Sequence, residues 1–175
     1  MPVPVDEAAR PGEAAHALVR RLAAAKGHEA RRRLPAGPPA LLLAADTAVV
    51  IDGDCLGKPA DPDDARAMLR RLCGRAHEVL TGVYLLRTDD GREIVDVDST
   101  TVRFRAYDDA DIEAYVASGE GTDKAGGYGI QGRGVLLVEG IDGSWSNVVG
   151  LPLERLSGWL DAIGVDLWQL MLSRR

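Results

Sequence analysis

Residues 41–59, LLLAADTAVVIDGDCLGKP, constrain the fold more than any other stretch. They open on an unbroken apolar run, Leu41-Leu42-Leu43-Ala44-Ala45, short enough to be a strand buried on both faces. The run ends on Asp46 and Thr47, which sets a carboxylate and a hydroxyl where such a strand emerges. A second apolar run, residues 48–51, leads into Asp52-Gly53, the dipeptide that favours a two-residue hairpin turn. The return arm delivers Lys58, and Pro59 ends the pairing. Folded back, the hairpin turns Asp46 and Lys58 toward one cleft. A carboxylate able to hold a divalent metal or activate water, beside a lysine able to hold phosphate, suits phosphoanhydride chemistry. The competing reading is an Asp closing a turn and a surface Lys. On this stretch alone it carries more weight, because polar residues are common at strand ends.

The flanking sequence supplies helices and an antiparallel pair. Residues 1–11 form an extended, Pro-rich lead-in that contains Asp6 and Glu7. Residues 12–33 predict one helix with Ala14, Ala17, Leu18, Leu22 and Ala25 inward. Lys26 falls on or beside that face, where it either snorkels to water or reaches a phosphate. Arg31, Arg32 and Arg33 suit the negative end of the helix dipole. A second helix starts with Asp61 as N-cap and Pro62 in the first turn, buries Ala65, Met68, Leu69 and Leu72, and stops at Gly74. Residues 78–87 and 92–106 predict two strands around Asp89-Asp90-Gly91. Thr81-Gly82 interrupts the first of them, as expected where another backbone approaches closely. Residues 108–117 predict a short helix with Ile112, Tyr115 and Val116 inward.

Residues 121–134, GTDKAGGYGIQGRG, hold six glycines in fourteen residues, too dense for a helix or strand interior. They lack both the GxGxxG order and the Walker pattern, so neither familiar phosphate loop is present. What remains is a flexible loop bearing Asp123, Lys124, Tyr128 and Gln131. Its backbone N–H groups can lie against a ligand while Gln131 reads a base edge. A plain surface connection is the alternative, and function leads slightly, since glycine at this density weakens a fold. Beyond it, residues 135–139 predict a buried strand, 141–143 a turn, and 145–149 an extended or turning segment. A helix through Ile163 follows, with Leu153, Leu156, Leu160 and Ile163 inward. The tail, residues 165–175, carries Leu167, Trp168, Leu170 and Met171, a cluster suited to the body of the domain or to a second subunit.

The chain of 175 residues suffices for one domain with a real core, or for two small lobes. A formal net charge of −6 argues against a general binder of nucleic-acid polymers or anionic membranes. Cys55 and Cys73 have no metal-ligand spacing, and His16, His28 and His77 form no ligand pair. With no signal-peptide pattern and no apolar run of membrane length, a cytoplasmic protein is expected.

Five blocks in order then resemble the Maf family of nucleoside triphosphate pyrophosphatases, historically linked with septum formation. They are Ala45-Asp46-Thr47-Ala48-Val49-Val50, Leu56-Gly57-Lys58-Pro59, His77-Glu78-Val79-Leu80-Thr81-Gly82-Val83, DKAGGYGIQG at residues 123–132, and NVVGLPL at residues 147–153. The resemblance implies an α/β domain over residues 1–175, with an elongated, bent mixed sheet flanked by helices and two lobes around a cleft, as in inosine triphosphatase-like enzymes. It implies hydrolysis between the α and β phosphates with a divalent metal, Mg²⁺ or Mn²⁺. By position, Asp46 matches the proposed general base and metal-associated carboxylate, Lys58 and Lys26 match phosphate-site lysines, and Glu7 matches an acid near the metal. Lys124 and Asp123 fall in the substrate loop. Thr47 and Gln131 match two positions that mark the subgroup acting on dTTP and UTP. A homodimer is compatible with the family.

One departure qualifies the resemblance. Family members begin with a strand and a Ser-x-Arg-Arg turn whose arginines hold triphosphate, and residues 1–4 carry nothing like it. The expected consequences are an exposed neighbouring strand edge and weakened phosphate binding. The leading expectation is therefore a dTTP/UTP pyrophosphatase, and the alternative a catalytically weakened truncated relative that binds a nucleotide or a protein. A structural remnant that associates through the exposed edge is the third.

Overall fold

The computed structural model describes residues 3–172. Its organising hairpin follows from local chemistry. Asp52 (φ 54°) and Gly53 (φ 84°) both take left-handed backbone, the turn whose twist matches that of paired strands. Strand β1 (Leu41–Ile51) therefore folds back onto β2 (Asp54–Leu56), with Val49 opposite Leu56. Contrary to the expectation of two runs, β1 passes unbroken through Asp46 and Thr47. Their backbones pair with Gly82 and Thr81 of β3 (Ala76–Arg87), and ladder hydrogen bonds are indifferent to side-chain polarity. Nor is the first half of β1 buried on both faces, for Leu43 is 42% exposed. Among the described residues, β2 pairs only with Val49–Ile51, so the outer edge of β1 from Leu41 to Ala48 stays open.

The sheet continues through β4 (Glu93–Phe104) and β5 (Val138–Asp142) in the order β2-β1-β3-β4-β5. Every pairing among the described residues is antiparallel, where the resemblance implied a mixed sheet. Tight hairpins join β1 to β2 and β3 to β4, and such connections permit only antiparallel neighbours. The α/β expectation itself holds, since helices flank both faces.

Helix α1 (Ala15–Arg33) covers one face. Two glycines fix how it lies. A Cβ on Gly82 would stand 2.2 Å from the Val19 carbonyl oxygen, and one on Gly27 would stand 2.1 Å from the Tyr84 ring. The close approach expected at Thr81-Gly82 is therefore the seat of α1. These contacts bury Leu18, Val19, Leu22, Ala23 and Gly27, so Ala14 and Ala17, expected inward, face solvent.

The opposite face carries two separate cores. In one, Met68, Leu69 and Leu72 of α2 (Pro62–Leu72) and Ile112 and Tyr115 of α3 (Asp109–Ala117) pack on Val49, Ile51, Val79, Val102 and Phe104. Asp61 caps α2 by accepting from the Asp64 amide, with Pro62 in the first turn, as expected. In the other core, Val83 and Leu85 meet Trp159, Leu160 and Ile163 at the end of α5 (Leu153–Ala162). Each fully buried leucine contributes roughly 2 kcal/mol to the fold. Short helix α4 (Trp145–Val149) lies between the cores.

Two local expectations, a buried strand at 135–139 and an inward Leu153, fail for one reason. A 3-10 turn occupies Gly132–Leu137, with Val135 and Leu136 exposed. Leu153 points to solvent. In each case an apolar residue lies where no neighbouring layer covers it, and only the layers decide that. Residues 145–149, expected as an extended or turning segment, make one short helical turn capped by Ser144, whose side chain accepts from the Asn147 amide. All four residues of the expected tail cluster fall in α6 (Leu167–Leu172), and residues 173–175 lie outside the described residues. Among the described residues, no helix is long and apolar enough to cross a membrane.

Candidate active site

The open edge of β1 is one wall of a cavity of about 590 Å³. All eight site residues expected from the sequence line it: Glu7, Lys26, Asp46, Thr47, Lys58, Asp123, Lys124 and Gln131. The pleat of β1 sends Asp46 to the α1 face and Thr47 to the opposite face. The cavity straddles the strand edge and takes in both.

On the α1 face, the extended lead-in brings Glu7 down onto Lys26. Lys26 Nζ lies 2.6 Å from Glu7 Oε1 and 2.6 Å from Asp46 Oδ1, so one ammonium bridges two carboxylates. The Asp46 side chain is 14% exposed and that of Glu7 59%, which makes Asp46 the desolvated member. Burial pushes the Asp46 carboxyl above its ordinary range, against the opposing pull of Lys26. Burial also disfavours the Lys26 ammonium, but its two carboxylate hydrogen bonds outweigh that and hold it above the usual lysine range. The two directions agree, because the cation has two partners and Asp46 has only a share of one.

Lys58 follows β2 at the point where β1 loses its outer partner. Among the described residues no carboxylate lies within ion-pair distance of it, although its charge is felt by both Asp46 and Asp123. Lys124 Nζ is 2.7 Å from Asp123 Oδ1, a pair on the glycine-rich stretch. That stretch is not a loose loop. It forms a 3-10 turn at Ala125–Gly127, with the Gly126 amide donating to the Gly57 carbonyl at 3.0 Å. Tyr128, borne on this stretch, is 4% exposed, with its hydroxyl 2.8 Å from His77 Nε2. The aromatic ring was worth more to the core than to the cleft, and it anchors the stretch that carries Lys124 and Gln131. The cleft's charged lining thus comprises three lysines and three carboxylates.

On the opposite face the groups next to Thr47 are neutral. Thr47 Oγ1 lies 2.9 Å from Thr81 Oγ1, and Thr81 Oγ1 donates to the Asn147 carbonyl at 3.0 Å. Val148 and Val149 of α4 add an apolar wall, with Gln131 at the rim. Sequence reasoning did not single out Thr81, Asn147 or the two valines for the site. Thr81 left one readable signal, a hydroxyl in the middle of the apolar run EVLTGVYLLR. The strand register that sets it opposite Thr47 was not readable.

Among the described residues, no group of three or more His, Cys, Asp or Glu side chains converges to hold a metal. Glu7 and Asp46 do converge on one point, which Lys26 Nζ occupies. Two carboxylates with the rest of the shell left to water and phosphate is an ordinary donor set for Mg²⁺.

The chain is 47% identical to a dTTP/UTP pyrophosphatase of Alcanivorax borkumensis, over 97% of this chain and 86% of that protein. It is 49% identical to a dTTP/UTP pyrophosphatase of an Anaeromyxobacter species, over 95% of this chain and 79% of that protein. A dTTP/UTP pyrophosphatase of Syntrophomonas wolfei is 44% identical, over 95% of this chain and 87% of that protein. The family model described as Maf-like protein matches residues 1–163, and the chain belongs to that family.

Proposed function

We propose that this protein is a nucleoside triphosphate pyrophosphatase that hydrolyses the α–β phosphoanhydride of dTTP and UTP to the monophosphate and pyrophosphate. The observation that carries the reading is the division of one cleft, with ion-pairing groups on one face of β1 and neutral hydrogen-bonding groups on the other. A triphosphate needs the first and a base needs the second.

In the reaction, a water oxygen bonds to one phosphorus of the α–β bridge and the bridging P–O bond breaks. Pyrophosphate leaves, and the proton lost by water passes to Asp46. Burial raises that carboxyl, which strengthens it as a general base relative to an exposed aspartate. Lys26 orients Asp46 and Glu7. Lys58, free of a carboxylate partner among the described residues, is placed to stabilise charge growing on pyrophosphate, and Lys124 joins it by exchanging Asp123 for phosphate. Thr47 and Gln131 contact the base. The lining lysines and carboxylates balance, so a triphosphate brings uncompensated charge into the cleft. A divalent cation, Mg²⁺ or Mn²⁺, held by Asp46 and Glu7 would supply that compensation when bound. Both cysteines are free thiols, which suits the reducing cytoplasm, and the exposed Trp168, Met171 and Leu172 of α6 suit a homodimer.

One observation favours a weaker, binding-only relative. Among the described lining residues every cation is a lysine, so the planar fork with which arginine grips phosphate is lacking. The deciding assay is pyrophosphate release by the 175-residue chain with Mn²⁺ on dTTP, UTP, CTP and GTP. Release greatest on dTTP and UTP supports the enzyme. Calorimetric nucleotide binding without release supports the binding module.

A further inference from the structure

The hydroxyl chain Thr47–Thr81–Asn147 has a direction that its distances alone fix. Thr81 is fully buried, and its single hydroxyl proton goes to the Asn147 carbonyl, which can only accept. The 2.9 Å contact to Thr47 must then use the proton of Thr47, with Thr81 Oγ1 accepting. What Thr47 offers the cleft is lone pairs and no proton.

The anchor is rigid. Asn147 is fully buried, and its side-chain amide donates to the Val79 carbonyl and to Thr100 Oγ1, each at 3.0 Å. Its own carbonyl also accepts from the Gly150 amide at 2.9 Å.

We infer that Thr81 is a positioning residue that holds the Thr47 hydroxyl as an obligate hydrogen-bond acceptor and so selects bases presenting a ring N–H. The inference rests on the pyrophosphatase reading of the cleft and deepens it. Uracil and thymine carry such an N–H between their two carbonyls. Cytosine has a bare ring nitrogen at that place, which would meet Thr47 lone pair to lone pair. A site built around one proton direction rejects the mismatched partner far more strongly than a freely rotating hydroxyl does.

The test compares kcat/KM for UTP and CTP in the wild type, Thr81→Val and Thr81→Ser, with N3-methyl-UTP as a further wild-type substrate. Thr81→Val keeps the shape, leaves the Asn147 carbonyl one donor, and frees the Thr47 hydroxyl to turn. The expected result is a UTP-to-CTP preference reduced at least about tenfold in Thr81→Val and restored in Thr81→Ser. N3-methyl-UTP, which needs no variant to fold, should lose at least about tenfold against UTP. An unchanged preference in a folded Thr81→Val, or N3-methyl-UTP cleaved as well as UTP, overturns the inference while leaving the pyrophosphatase reading intact. A wild type inert to every triphosphate overturns the reading itself, and the inference with it.

Discussion

The two faces of β1 use different physics at the same strand edge. On the α1 face, Glu7, Lys26 and Asp46 form a charged triad open to solvent at Glu7. On the other, Thr47, Thr81 and Asn147 form a neutral relay that runs from the cleft into buried structure. Charge acts over distance and tolerates small displacements, so the charged face can be assembled from a helix and an extended segment that meet only there. A hydrogen bond has direction, so the neutral face is built on paired strands and a buried asparagine. Anion binding needs strength, and base selection needs geometry.

The largest effect should come from the charged face. Asp46→Asn removes the proposed base and should lower kcat about 10³-fold, with a melting temperature within a few degrees of wild type because Lys26 keeps Glu7. Pyrophosphate release and a thermal melt on the same sample check both halves, and an undiminished rate would remove Asp46 from the mechanism. Next in size, Gly82→Ala forces a methyl group into the Val19 carbonyl and should cost about 3 kcal/mol of stability in urea unfolding. As α1 lifts, the rates on dTTP and UTP should fall together, since the charged face depends on that helix and the neutral face does not.

Acid should act on the neutral side through His77. Burial lowers its pKa from 6.5 to about 4. The unfolded chain therefore binds the proton first, and stability present above pH 6.5 is lost as pH falls through about 4. The difference amounts to about 3 kcal/mol, and urea melts of wild type and His77→Gln at pH 7 and 4.5 isolate it, with the variant less acid-sensitive. A parallel pH response in the two proteins would show that the ring under Tyr128 is not the sensor. The smallest effect is expected from Lys26→Met. It strips Asp46 of the hydrogen bond that opposes burial, so the acid limb of the pH–rate profile should move to higher pH, with about a tenfold loss in rate at neutral pH. A limb that stays in place would uncouple Lys26 from Asp46.

Much of this was legible in the chain because local chemistry carried it. Asp52-Gly53 demanded its turn, Asp61-Pro62 its helix start, and the interruption at Thr81-Gly82 marked a backbone contact that proved to be the seat of α1. For the charged half of the site, residue types raised the phosphate reading of Asp46 and Lys58, and the family resemblance, not the residues alone, gave it weight over a turn aspartate and a surface lysine. The failures share a cause. Leu153 was assigned to a core and residues 135–139 to a buried strand because period and composition give no account of which layer lies opposite.

By itself, then, the sequence determined where the first hairpin turns, where helix α2 starts and which groups are able to handle phosphate, since turns, caps and ionisable side chains act within a few residues. Only the tertiary structure decided that β1 keeps an open edge, that its two faces share one cavity, and that the proton of Thr81 points away from it. Those facts depend on strand register between residues more than thirty positions apart. Register is a property of pairing, and no single strand contains it.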